Sequence, residues 1–192
     1  MTRMINPEAI LYYFYPEDTP LRQLLWQHSM QVRDKALAIL NASSLRPPAV
    51  DAALVAAGAM LHDIGIAQCR APKIHCTGTE PYLAHGVIGA RMLRHYGRQH
   101  GIDLESCARI CERHTGSGLT ADDIRRQQLP IPARDYLPET PEEKLVCLAD
   151  KFFSKSGDMR EKSLESIRQS LVKFGADSLA RFDEMCRFFC IA

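Results

Sequence analysis

Strand signals are nearly absent from this chain. No segment alternates apolar and polar residues over six positions, and the β-branched residues are scattered, which argues against a sheet protein. No run of 18 or more apolar residues occurs, so no segment is expected to span a membrane as a helix. A dominant sign of charge is missing too. Lys and Arg number 24 and Asp and Glu 23, and the formal net charge of +1 leaves no field for wrapping a nucleic acid or adsorbing to a membrane surface. A basic stripe or aromatic platform for nucleic acid is likewise lacking. The seven cysteines include no CxxC pair. Cys107 and Cys111, like Cys186 and Cys190, have helical core spacing, so all seven are expected to be reduced and mostly buried in a cytoplasmic protein. Cys69 and Cys76 suit loop positions better than a metal role. The N-terminal stretch meets Glu8 and Glu17 early without a small-residue cleavage site, and is expected not to be a secretory signal.

What is present is a stack of helix signals. The 192 residues, 46% hydrophobic and 24% charged, suit one globular domain. Asn6-Pro7-Glu8 opens a short helix, and Thr19-Pro20 starts a longer one with Leu21, Leu25, Val32, Ala36 and Ile39 on its apolar face. An Ala-rich helix is expected from about Pro48 to Leu61. A loop of about 20 residues follows, long enough to be functional or mobile. Further helices are expected from His85 to Gly97 or just past it and from Asp103 to His114. A second long loop holds a short helix capped by Thr120, and Thr140-Pro141-Glu142-Glu143 caps the next helix. The tail is helical, with Leu164, Ile167, Leu171 and Phe174 in register, then Phe182, Met185 and Phe189. The expectation is an all-α single domain over 1–192, its core at about 20–155 and its C-terminal helices, 160–192, packed on that core.

Several polar side chains break these apolar stripes. His28 shares the stripe of Leu25 and Val32, His62-Asp63 closes the Ala-rich helix, and Asp150 lies within LVCLADKFF. An ionised carboxylate without a partner is costly to bury. If the four converge, a divalent metal resolves that cost, because imidazole and carboxylate are suitable ligands.

The tetrad His62-Asp63-Ile64-Gly65, preceded by His28 and followed by Asp150, resembles the HD-domain metal-dependent phosphohydrolases of the HDIG subgroup over roughly residues 20–155. The resemblance implies a compact helical bundle of the HD-domain type, with the metal site between central helices. It implies one ion held by His28, His62, Asp63 and Asp150. His85, opening the helix after the HD loop, and His114, ending the next, occupy the places that hold a second ion in two-metal members, with Asp63 bridging. His75, His95 and His100 lack such placement and read as surface or loop residues. His62 and Asp63 are then the catalytic centre. Two ions, iron or manganese in preference to zinc or magnesium, fit a thiolate-free donor set.

The implied chemistry is hydrolysis of a phosphomonoester or phosphoanhydride of a nucleotide-like small molecule by metal-activated hydroxide. No protein nucleophile motif such as GxSxG is present. HDIG proteins commonly carry a Lys soon after the tetrad; this chain instead has Arg70 and Lys73 later in the loop. Lys151 and Arg134 are further candidates for the phosphate, whereas Arg125 and Arg126 read better as surface charges. Two other readings stay open. An HD-type diiron oxygenase would use the same six ligands, and a non-catalytic nucleotide sensor would bind without turnover. The expected partner is a small phosphate compound, not nucleic acid or membrane, and homodimerisation is left open.

Overall fold

Six helices begin on a side chain that caps the first turn, which is why local sequence marks their starts so well. The computed structural model describes residues 5–43 and 50–191. In chain order the helices are α1 (Pro7–Phe14), α2 (Pro20–Ala42), α3 (Ala52–Leu61), α4 (His85–His100), α5 (Glu105–Arg113), α6 (Ala121–Arg126), α7 (Pro141–Asp150), α8 (Leu164–Val172) and α9 (Ala176–Phe188). The caps are Asn6, Thr19, Asp51, Thr120, Thr140 and Ser163. Thr120 with Asp123 and Thr140 with Glu143 form reciprocal capping boxes, each satisfying two backbone donors. Gly101 ends α4 in the left-handed conformation that glycine adopts at least cost.

One helix starts later than the sequence expectation, and another ends at the far limit of it. The Ala-rich helix starts at Ala52 because the Asp51 carboxylate accepts from the Ala53 and Leu54 amides; Pro48 and the connector at 44–49 lie outside the described residues. Helix α4 continues past Gly97 to His100. A glycine interior to a helix costs only about 1 kcal/mol, and Cα of Gly97 packs under the Ile102 carbonyl at a place where a side chain would collide. The 20-residue loop after the tetrad is ordered rather than irregular. It contains three single 3₁₀ turns and an antiparallel pair, β1 (Arg70–Ala71) and β2 (Cys76–Thr77). Two-residue strands are too short to leave an alternating pattern.

The result is an all-α bundle with one small ribbon. α2 packs on α3 and α7, α4 on α5, and α3 on α5 and α7. One apolar cluster joins Val32, Ala36, Val55, Leu145 and Leu148 to Phe152, Ile167, Leu171, Phe182 and Phe189, with α8 packed on α9 and α9 on α7. A second joins Leu11, Leu25, Leu61, Ile64, Leu93 and Cys107. His28 lies between Leu25 of one cluster and Val32 of the other, so the polar residues sit on the seam where the two cores meet. Six of the seven cysteines are buried, Cys190 is exposed, and all are free. Among the described residues no helix is long and apolar enough to cross a membrane.

Candidate metal centre

The turn after α3 carries the tetrad, and three contacts fix its path. The Tyr15 hydroxyl, brought in by α1, donates to the Ile64 carbonyl at 2.8 Å and accepts from the Ala67 amide at 3.3 Å. The Cys111 thiol donates to the His62 carbonyl at 2.9 Å. At Gly65 an added Cβ would run into the His85 carbonyl and come within 2.5 Å of the Gly89 amide. The missing side chain lets the turn lie directly on the first turns of α4, which brings Asp63 beside His85. Gly65→Ala is therefore expected to lower Tm by about 5–10 °C, since the clash is with backbone that cannot yield. A thermal unfolding scan of the variant checks this.

His28, His62, Asp63, His85, His114 and Asp150 are all buried. They form two sets that share one residue: His28, His62, Asp63 and Asp150 in the first, Asp63, His85 and His114 in the second, with the candidate donor atoms of each set within 4.8 Å of one another. Asp63 divides its oxygens between them. Its Oδ2 lies 2.9 Å from His62 Nε2 and 3.2 Å from His28 Nε2, while its Oδ1 lies 3.3 Å from His85 Nε2 and 3.5 Å from His114 Nε2. Asp150 Oδ1 lies 3.0 Å from His28 Nε2 and 3.6 Å from His62 Nε2.

The rings are oriented by the backbone. His62, His85 and His114 each place Nδ1 on the carbonyl three residues earlier, those of Ala59, Tyr82 and Cys111, at 2.6–2.7 Å. An Nδ1–H donating to a carbonyl leaves Nε2 as the lone pair of a neutral imidazole, the tautomer that binds metals. His85 and His114 aim these nitrogens at each other across 3.0 Å. Two facing lone pairs repel unless a cation lies between them. Both oxygens of Asp63 are also buried without a well-aligned hydrogen bond. The donor set thus fits divalent ions, and the His and Asp residues can bind them.

The electrostatics point the same way. Burial opposes ionisation of Asp63, but His62 and Lys155 outweigh it and hold the carboxyl well below its usual range. Asp150 is likewise held low against its burial, by Lys151 and Lys155 first. Burial works against charge on His62, yet Asp63 and Asp150 push its pKa up to about 9. His85 is pushed down to about 3, chiefly by burial, and His114 is also lowered by burial. The first set therefore invites positive charge, and the second keeps neutral rings.

Of the cations considered for the phosphate, Lys151 lies at the centre, its Nζ 2.8 Å from Asp150 Oδ2. Arg70 and Lys73 are exposed on the ribbon loop. Arg134 turns onto Glu112 at 2.9 Å and stacks over Tyr136. Arg126 pairs with Asp123 and Arg125 is exposed, as expected of surface charges. Sequence reasoning missed Lys155, whose Nζ lies 2.6 Å from Asp63 Oδ2. It falls in the turn just past α7, where no periodicity tells which way a side chain points. Tyr82, stacked on the His85 ring at 4.8 Å between centroids, was missed for the same reason.

A helical frame enclosing paired histidines and aspartates between its central helices defines a class, and the comparisons name it. The HD domain family profile matches residues 25–154, and the chain belongs to that family. Fold and cluster together fit a metal-dependent hydrolase. Among curated proteins, the chain is 40% identical over 104 residues to a tRNA (cytidine(56)-2'-O)-methyltransferase of Picrophilus torridus, covering 54% of this chain and 25% of that protein. It is 36% identical over 124 residues to an uncharacterized protein of Methanocaldococcus jannaschii, covering 65% of this chain and 63% of that protein. It is 32% identical over 164 residues to a tRNA (cytidine(56)-2'-O)-methyltransferase of Thermoplasma volcanium, covering 85% of this chain and 41% of that protein. The chain thus spans from a quarter to under two thirds of the length of these relatives. No solved structure matches.

Proposed function

We propose that the chain is a metal-dependent phosphohydrolase acting on a phosphomonoester or phosphoanhydride of a nucleotide-like small molecule. The observation that carries this reading is the division of Asp63, one oxygen toward each of two imidazole sets whose Nε2 atoms converge. His28, His62, Asp63, His85, His114 and Asp150 would hold divalent ions, iron or manganese, which would supply Lewis acidity for activating water and neutralising phosphoryl charge. The chain's own residues do the rest. Nδ1–carbonyl bonds orient three of the four rings, those of His62, His85 and His114, so these need little reorganisation on loading. His62 and Asp63 sit at the reacting end, and the Lys155 and Lys151 ammonium groups stand where a phosphate would approach.

Two of the relatives are named for methylation of tRNA. The net charge of +1 and the absence of a basic stripe in the sequence favour a small molecule over tRNA as the proposed substrate. The test is metal analysis of the purified protein alongside a screen for phosphate release over nucleotides and dinucleotides, with oxygen uptake measured in parallel. About two ions per chain with phosphate release supports the reading. Oxygen consumption without phosphate release overturns it in favour of an oxygenase, and tight nucleotide binding without turnover in favour of a sensor.

A further inference from the structure

Beside the metal centre lies a cavity of about 290 Å³, with Asp150, Lys151, Ser154, Lys155, Lys162 and Ser170 in its wall. The wall carries three ammonium groups. Two of them face carboxylates: Lys155 lies on Asp63 and Lys151 on Asp150. The third, Lys162, makes no ion pair among the described residues. It is partly buried, and its main-chain amide is fixed to the Phe152 carbonyl at 2.8 Å. Burial pulls its pKa down, and Lys151 and Lys155 add to that pull against Asp150.

Like charges are not gathered in a half-buried wall without cost, so an anion is the natural occupant. Among the described residues, the carboxylates that pair with or act on these lysines are Asp63 and Asp150, both used by the metal centre proposed above. With their charge taken by divalent ions, the lysines are left in excess of what a single phosphoryl group at the centre needs. Lys151 and Lys155 flank that group. Lys162 belongs to the stretch entering α8 and Ser170 to α8 itself, whereas Asp150 ends α7, so separate elements supply the wall.

We propose that this cavity holds the second of two linked phosphates, with Lys162 as its anchor, so that the substrate is a phosphoanhydride rather than a simple monoester. The proposal rests on the phosphohydrolase reading and narrows it. In the reaction the anhydride P–O bond breaks with its electron pair on the leaving phosphate, and water supplies the oxygen gained by the other phosphorus. The protons of that water are shared between the two products and solvent. Lys162, beside the leaving phosphate, stabilises the charge that grows there.

The test uses two non-reacting probes, orthophosphate and methylenediphosphonate, titrated calorimetrically into the manganese-loaded protein. Methylenediphosphonate is expected to bind about tenfold or more tighter than orthophosphate. Lys162→Gln is expected to remove most of that advantage while leaving metal content and orthophosphate affinity unchanged, and Lys162→Arg to keep it. Ser170→Asp, which sets a negative charge on the same wall, is expected to act like Lys162→Gln. Equal binding of the two probes by the native protein, or an advantage that survives both Lys162→Gln and Ser170→Asp, overturns the proposal. Failure of the phosphohydrolase reading shows separately, as full metal content with no phosphate released from any compound, because the probe titrations do not depend on turnover.

Discussion

Asp63→Asn is expected to be the most damaging single substitution in the chain. The amide keeps the shape of the side chain but replaces one oxygen by NH₂ and removes the charge that both imidazole sets face. Each candidate ion loses a ligand at once, and Lys155 loses its carboxylate in a buried site. Metal content should fall from about two ions to below one, and phosphate release by at least about three orders of magnitude. Far-UV circular dichroism should change little, since the helices are capped and packed independently of this side chain. By contrast, His85→Ala removes a ligand from the second set only and should leave about one ion bound. Atomic absorption on the two variants measures the difference. Equal metal loss in both would contradict the division of Asp63 between the sets.

Metal removal should have the second largest effect, and it acts on stability. An ion that binds the folded chain and not the unfolded one stabilises by about 4 kcal/mol when its concentration is 1,000 times Kd. In a chain of this size that corresponds to roughly 8–16 °C in Tm. The six candidate ligands come from α2, from the turn after α3, from α4, from the end of α5 and from α7, so ions here would tie together elements that otherwise meet through two separate apolar clusters. Thermal scans with added manganese and with a chelator should bracket this shift, and the shift should vanish in Asp63→Asn. An unchanged Tm under chelation would mean that the ligands are not filled in the folded protein.

Much of this arrangement is legible from residue pattern alone. Asn6, Thr19, Thr120 and Thr140 cap helices where the pattern places them, because a cap is a local exchange between one side chain and the amides two or three residues on. His28 and Asp150 draw notice because each interrupts an apolar stripe, a place where an unpartnered polar group is expensive. His85 and His114 are harder, since a histidine at either end of a helix has an ordinary explanation, and only the resemblance ties them to Asp63. The Arg70 and Lys73 candidates illustrate the limit. They are near the tetrad in sequence, but the β1–β2 ribbon turns them outward, while Lys155, remote from the tetrad, folds back onto it. Which cation meets the centre is decided by tertiary packing past the end of α7, and no spacing rule reaches that far.

Tyr15 stands before residue 25, where the match to the HD family begins, yet its hydroxyl bridges the Ile64 carbonyl and the Ala67 amide behind the candidate ligands. The candidate metal centre is therefore braced here from outside the span that matches the family. A shortened protein trimmed to residues 25–154 would keep every candidate ligand and lose the strut behind two of them.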